Sequence, residues 1–115
     1  MKIKQVDEMQ FVLKQMLQVK GIVGYKIARN LRMITDELKE YNQVKQELFE
    51  KYGTEKDGNL VIDKFSENYA NYLKEIAPYE DQDVDFDFKR ITEDEFMGSD
   101  LTAEQILLLT EYFGE

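Results

Sequence analysis

The longest regular pattern in the chain is an apolar stripe between Gly24 and Tyr52. Its side chains recur at alternating spacings of four and three residues, with Lys45 at the one missed position: Ile27, Leu31, Ile34, Leu38, Tyr41, Leu48 and Tyr52. This periodicity predicts one long helix with a coiled-coil-like seam, which Gly53 is placed to end. Such a helix would be about 42 Å long, so its seam needs a helical partner in the same chain or in a second copy.

A helix is also predicted before this stripe. Apolar residues recur at helical spacing from Asp7 to about Val19, and Asp7 with Gln10 gives a weak capping signal. Val6 and Phe11 stand where the flanking apolar pair of such a cap would lie.

A shorter helix is predicted after the stripe, from Phe65 to Ala77, with Ser66 as a cap and Pro78 beyond its end. Its apolar face is mostly aromatic and is expected to pack on the long helix: Phe65, Tyr69, Tyr72, Leu73 and Ile76.

Two short helices are predicted near the C-terminus because two capping boxes stand there, Thr92 with Glu95 and Thr102 with Gln105. The apolar residues of the last helix cover more than one face. We expect that helix either to be wedged into the core or to offer an apolar patch to a partner.

Two strands are predicted as well. Asp57-Gly58 is a turn signal, and Leu60 to Ile62 after it form a short apolar strand. The stretch EDQDVDFDFKRITEDEF alternates apolar and acidic residues, so Val84, Phe86 and Phe88 would share one face of a strand, with Leu60 to Ile62 as the partner strand.

Together these patterns predict an α+β fold that is mainly helical. We expect a long coiled-coil-like helical hairpin, a small sheet of two or three strands and short C-terminal helices. One domain over residues 1–115 is the simplest organisation, with a mainly helical part at 7–77 and the acidic strand and two short helices at 83–115.

Composition restricts the chemistry. The chain has no cysteine and no histidine, so it lacks disulfides, the commonest general base near neutral pH and the commonest transition-metal ligand. No glycine-rich phosphate loop is present, and a calcium loop around Gly58 would need ligands at Gly53 and Lys64, which cannot serve. We therefore expect no enzyme, no cofactor and no metal.

Charge is distributed unevenly around a net value of −9. Residues 1–52 carry ten basic and seven acidic side chains, whereas residues 80–115 carry two basic and twelve acidic ones. The acidic half disfavours direct nucleic-acid binding and makes cationic surfaces plausible partners. With no apolar run of membrane-spanning length and no signal-peptide core, we expect a soluble intracellular protein without a membrane partner.

The acidic side of the alternating stretch is the candidate partner-binding face. It comprises Asp83, Asp85, Asp87, Glu93, Asp94 and Glu95. Three interpretations stay open: a solvated face that discourages edge-to-edge association, a line of charges that docks on a basic partner or imitates a phosphate backbone, or a loose Ca²⁺ or Mg²⁺ site.

The order of these parts resembles a family of small uncharacterised proteins, a domain of unknown function, from phages and prophages of Gram-positive bacteria. The likeness covers about residues 25 to 113 and lies in ELFEKYG, EKDGN, DKFSENYANYLKEI, VDFDFKRI and LTAEQILLL. It implies a phage product in the cytoplasm of a bacterial host, or one associated with the virion, and carries no active-site residues over.

Two functions fit such a product. One is a non-enzymatic binding or structural accessory protein that acts through helix packing and its acidic surface, with a phage structural component, a basic host protein or a second copy of itself as partner. The alternative is an inhibitor of a host nucleic-acid-binding defence factor, of the anti-CRISPR or anti-defence type, acting by nucleic-acid mimicry.

Overall fold

A computed structural model describes residues 1–115 as six helices and one two-stranded sheet. In chain order these are α1 (Ile3–Lys14), α2 (Gly21–Glu37), α3 (Lys39–Tyr52), β1 (Thr54–Lys56), β2 (Asn59–Val61), α4 (Glu67–Glu80), α5 (Glu93–Met97) and α6 (Ala103–Phe113). The prediction of a mainly helical α+β fold with a small sheet is confirmed.

Contacts within the chain define two compact units, each built from two separate stretches. Unit 1 consists of Met1–Lys4 and Glu37–Val84, and unit 2 consists of Gln5–Asp36 and Asp85–Glu115. The units do not follow the expected division into residues 7–77 and 83–115, because residues 5–36 cluster with the C-terminal stretch. The single domain over 1–115 stays a prediction.

In unit 1, α3 and α4 pack against each other. The Phe49 and Tyr72 rings meet edge to face with centroids 5.2 Å apart, and the Asn68 amide donates to the Tyr52 carbonyl at 3.3 Å. These pairs run in opposite directions along the two helices, so the helices are antiparallel. An edge-to-face aromatic pair stabilises such packing by about 0.5–1.5 kcal/mol beyond the area that it buries.

The sheet of unit 1 is a hairpin around the predicted Asp57-Gly58 turn, and its first strand, β1, lies where no strand was predicted. Asp57 and Gly58 both have positive φ angles, 53° and 81°, which is the backbone of a type I′ turn and matches the twist of paired strands. Lys56 pairs with Asn59 beside the turn, and Thr54 pairs with Val61 at the open end.

The prediction of one continuous helix from Gly24 to Tyr52 is wrong, because α2 ends at Glu37 and α3 begins at Lys39. Leu38, between them, has φ −90° and ψ 15° and is fully buried. The apolar stripe thus serves two cores. Ile27, Leu31 and Ile34 are buried in unit 2, Leu38, Tyr41 and Leu48 are buried in unit 1, and Tyr52 is half-buried there.

Other helix boundaries differ from the expected ones as well. Helix α1 begins at Ile3, so Asp7 lies inside it and accepts a hydrogen bond from Gln10 at 3.0 Å rather than capping it. Phe11 is exposed instead of packing on Val6. The helix ends at Lys14, and the chain continues in tight turns in which Met16 donates to the Leu13 carbonyl.

Helix α4 begins at the expected Ser66 cap, whose hydroxyl accepts from the Tyr69 N–H, but it continues through Pro78 to Glu80. Pro78 has no N–H to donate to the carbonyl four residues earlier, so the last turn of α4 lacks one helical hydrogen bond. Phe65 precedes the helix and is 99% exposed, so its expected place in the packing face is wrong. Tyr72 and Ile76 are buried as expected.

Both predicted capping boxes in unit 2 are confirmed. The Thr92 hydroxyl accepts from the Glu95 N–H while Glu95 accepts from the Thr92 N–H, and Thr102 and Gln105 repeat the arrangement at the start of α6. Each satisfies two backbone donors that a helix start leaves free.

The last helix combines the two expected outcomes for its apolar residues. Leu109 and Phe113 of α6 are fully buried in unit 2, whereas Leu107 is 74% exposed. The helix is therefore anchored in the core on one side and apolar on part of its outer side.

The second predicted strand is absent. Residues 84–90 belong to no ladder, and strand-like pairing beside them is limited to two single bridges, from Asp83 to Lys2 in unit 1 and from Ile91 to Gly114 in unit 2. The expected partner, Leu60 to Ile62, is wrong because β2 pairs with β1 instead.

Candidate binding surface

A fully buried asparagine takes the place of a partner strand for the segment 85–91. The Asn30 amide nitrogen donates to the Lys89 carbonyl at 3.0 Å, and its oxygen accepts from the Lys89 N–H at 2.7 Å. Asn30 lies on α2 and is 0% exposed. A side chain thus satisfies both backbone groups of one residue, as a neighbouring strand would.

The next residues of the segment are held in the same way. The Lys26 ammonium donates to the Arg90 carbonyl at 2.6 Å and to the Glu95 carboxylate at 2.7 Å, and the Ile91 N–H donates to the Phe113 carbonyl at 2.9 Å. Consecutive backbone groups therefore find partners on α2 and at the end of α6. This pairing explains why an extended segment persists here without a sheet.

The predicted alternation of the segment is seen in its burial. Val84 and Phe86 are half-buried and Phe88 is buried, whereas Asp85 and Asp87 are exposed. Within unit 2 the Phe86 and Phe88 rings stack with centroids 4.8 Å apart.

Phe88 also meets Phe113 of α6 edge to face at 5.0 Å. The aromatic side of the segment is thus fixed to the core, which turns the aspartates toward solvent.

The six acids of the candidate face fall into three groups. Asp83 belongs to unit 1 and pairs with Lys2 at 3.3 Å, with both side chains largely exposed. Asp85, Asp87, Glu93 and Asp94 belong to unit 2 and are exposed, and their carboxylates make no hydrogen bond or ion pair within the chain. We call these four the acidic surface.

Glu95 has a structural role instead. Its carboxylate accepts from Lys26 and from the Thr92 N–H, at 2.7 and 2.9 Å. The hydrogen bond from Lys26, followed by the one from Thr92, holds the pKa of the Glu95 carboxyl below its ordinary value. Because both contacts would have to break before Glu95 could meet a partner, we leave it out of the acidic surface.

A surface cavity of about 540 Å³ opens in unit 2 beside α5 and α6. Four apolar side chains line it, Ile91, Phe96, Met97 and Ile106, together with Glu93, Thr110, Gly114 and Glu115. Met97 is 77% exposed. We call this the Met97 cavity, and Glu93 belongs both to it and to the acidic surface.

The polar side chains of the Met97 cavity offer acceptors only. Glu93 and Glu115 are carboxylates, and the Thr110 hydroxyl already donates to the Ile106 carbonyl at 2.7 Å. No basic side chain lines the cavity. A group that enters must therefore be apolar, or supply its own donors or positive charge.

No three acidic side chains of the chain come together as a group that could hold a metal ion. None of the helices combines the length and the apolar character needed to cross a bilayer.

Two residues that hold the segment were missed in the sequence. Asn30 sits between Ile27 and Leu31 on the apolar stripe of α2, and a polar amide at such a position is a signal for a buried hydrogen-bonding role. Lys26 gives no comparable signal, because a lysine on an amphipathic helix is ordinarily solvated.

No family model, curated protein or solved structure matches this chain. The likeness to phage and prophage proteins stays a prediction from the sequence.

Proposed function

We propose that this chain is a non-enzymatic protein-binding protein that docks on a basic partner through the acidic surface of unit 2. The observation that carries the proposal is the state of Asp85 and Asp87, exposed carboxylates without a partner in the chain on a segment fixed from its other side. Carboxylates on a preordered segment accelerate the encounter with a positively charged partner and favour one orientation of that partner.

The two halves of the acidic surface do not support this proposal equally. Glu93 and Asp94 lie in the first turn of α5, where negative charge stabilises the helix end without any partner. Asp85 and Asp87 lie in no helix, so the helix-end explanation does not apply to them. Asp85 and Asp87 are therefore the residues whose substitution tests the proposal.

The biological setting follows from the resemblance to phage proteins and is part of the proposal. The partner is a phage structural component or a basic host protein, in the bacterial cytoplasm or in the virion. Most of the apolar stripe is buried within the chain, which supports helix packing inside one copy, including a coiled-coil-like pairing of α3 with α4. A second copy of the chain is therefore not needed to cover that stripe.

A second candidate is inhibition of a nucleic-acid-binding defence factor by mimicry. The alternation of Asp85 and Asp87 favours it, since residues two apart in an extended segment lie about 6.6–6.8 Å from each other on one face. Against it, Lys89 and Arg90 follow directly on the same segment and Asp83 pairs with Lys2. The line of unpaired acids is thus limited to Asp85 and Asp87.

A comparison of variants in affinity capture tests the proposal. Immobilised wild type is exposed to host-cell lysate and washed with increasing salt, alongside Asp85→Asn/Asp87→Asn. We expect proteins retained by wild type to be released as salt rises, because screening weakens exposed charge contacts, and we expect the double variant to retain less of them.

Asp100→Asn/Glu111→Gln is the matched control, since it removes two exposed acids of unit 2 outside the acidic surface. Equal losses in both double variants would mean that net charge alone acts, which contradicts a defined surface. If the retained protein binds nucleic acid and an oligonucleotide displaces it, mimicry replaces the accessory role.

A further inference from the structure

We propose that the Met97 cavity is the docking pocket for the apolar anchor of an amphipathic protein segment rich in lysine or arginine. The inference rests on the proposed function, because it names the chemistry of the partner that the acidic surface attracts. The cavity volume, about 540 Å³, lies within the range of pockets that enclose bulky groups, about 300–1,000 Å³.

The lining determines the chemistry of the occupant. Ile91, Phe96, Met97 and Ile106 form an apolar floor and wall, and the carboxylates of Glu93 and Glu115 stand at the same cavity. An apolar side chain would fill the floor while a neighbouring ammonium or guanidinium meets the carboxylates. A segment that carries acids there would meet like charge.

The surroundings favour a protein segment over a small cationic molecule. The chain that carries Asp85 and Asp87 leads into Ile91 of the cavity, and Asp94 follows Glu93 in α5. Three exposed acids thus stand outside the cavity lining, and a ligand the size of one side chain would leave them unused. A helix with basic residues around one apolar anchor can engage both.

Met97 suits a pocket that receives such an anchor. It is the most exposed of the cavity's apolar side chains, at 77%, and an unbranched thioether can adjust its shape to different apolar groups. Covering it would remove apolar surface from water, which favours association.

Two synthetic peptides of equal length and equal positive charge test the inference with the full chain. One is an amphipathic Lys/Leu helix, and the other has each Leu replaced by Ser. Calorimetry measures the binding of each to wild type, Met97→Gln and Leu107→Gln. Leu107 is the control, because it is also largely exposed but does not line the cavity.

We expect the Lys/Leu peptide to bind wild type more tightly than the Lys/Ser peptide. Met97→Gln should weaken only the Lys/Leu peptide, by about tenfold, and Leu107→Gln should leave it unchanged. Equal effects of the two substitutions, or none, would overturn the cavity inference. Sedimentation that shows self-association lost in Met97→Gln would also overturn it, since a second copy would then be the occupant.

Other results of the same experiment would contradict the proposed function rather than the cavity inference. If Asp85→Asn/Asp87→Asn binds both peptides as well as wild type does, or if wild type binds neither, the acidic surface is not a site for basic partners. If both peptides bind with equal affinity and depend on Asp85 and Asp87, the surface stands and only the cavity inference is lost.

Discussion

Two stretches of this chain have the sequence pattern of strands, and only one of them forms a sheet. The stretch 54–61 closes on itself through Asp57-Gly58 and pairs β1 with β2. The stretch 85–91 has the clearer alternation of apolar and polar residues, but its backbone is held by the side chains of Asn30 and Lys26 and by the Phe113 carbonyl.

The difference between the two stretches shows that side-chain burial and backbone pairing are separate properties, although they are often inferred together. Alternation with a period of two decides which side chains are buried, because successive residues of any extended chain point in opposite directions. Pairing depends on what else can satisfy the backbone N–H and C=O groups. In the hairpin a local turn supplies a strand, whereas in the segment 85–91 a helix supplies an amide.

Among the substitutions that test this difference, Phe88→Ala is expected to lower the free energy of unfolding most. Phe88 is buried and contacts both Phe86 and Phe113, so its truncation should lower the free energy of unfolding by about 3–5 kcal/mol. Chemical denaturation measures the change. Phe65→Ala is the control, because Phe65 is almost wholly exposed, and equal losses in the two variants would contradict the described orientation of the segment.

Asn30→Ala tests whether the amide replaces a strand. It removes two hydrogen bonds and leaves the Lys89 N–H and C=O without their partner, so we expect a loss of about 2–4 kcal/mol. Hydrogen exchange should show faster exchange of the Lys89 amide. Asn71→Ala, at an exposed position of α4, should change neither quantity, and an unchanged Lys89 amide in Asn30→Ala would contradict the interpretation.

Gly58→Ala tests the local turn of the other stretch. Gly58 has a φ of 81°, a region that costs other residues about 1–2 kcal/mol, so we expect a loss of that size in thermal or chemical unfolding. Gly98 is a suitable control, since its φ is −83° and an added Cβ would meet only ordinary contacts. If Gly98→Ala costs as much as Gly58→Ala, the turn is not the cause.

The smallest effect is expected from Asp83→Asn/Asp85→Asn/Asp87→Asn. Asp85 and Asp87 lack partners, and the ion pair of Asp83 with Lys2 is exposed, so stability should stay within about 0.5–1 kcal/mol of wild type. Circular dichroism and denaturation check this. Unfolding of the triple variant would show that the carboxylates, rather than the aromatic rings, hold the segment.

The structural features that the sequence predicts correctly are those determined by residues close together in the chain. The Thr92 and Thr102 capping boxes, the Ser66 cap and the Asp57-Gly58 turn all act over a few residues, and all four are present. The alternation at 85–88 is equally local, and it is confirmed as a burial pattern.

What the sequence does not predict depends on residues far apart in the chain. The break at Leu38 reflects two cores on one apolar stripe, and no glycine or proline marks it. Asn30 and Lys89 are 59 positions apart, so neither residue alone reveals the contact. The Met97 cavity likewise needs α5 and α6 together, and of its two carboxylates only Glu93 belongs to the face predicted from the sequence.

The discontinuity of the two units has a consequence for the order of folding. The main stretch of unit 1 is contiguous, so α3, the hairpin and α4 can meet after closing short loops, which is fast. Unit 2 must bring residues 5–36 to residues 85–115 across the whole of that stretch. During synthesis, the apolar faces of α1 and α2 therefore stay uncovered until α6 has been made. We expect the chain to be most prone to aggregation in this interval, because apolar surface is then exposed to solvent.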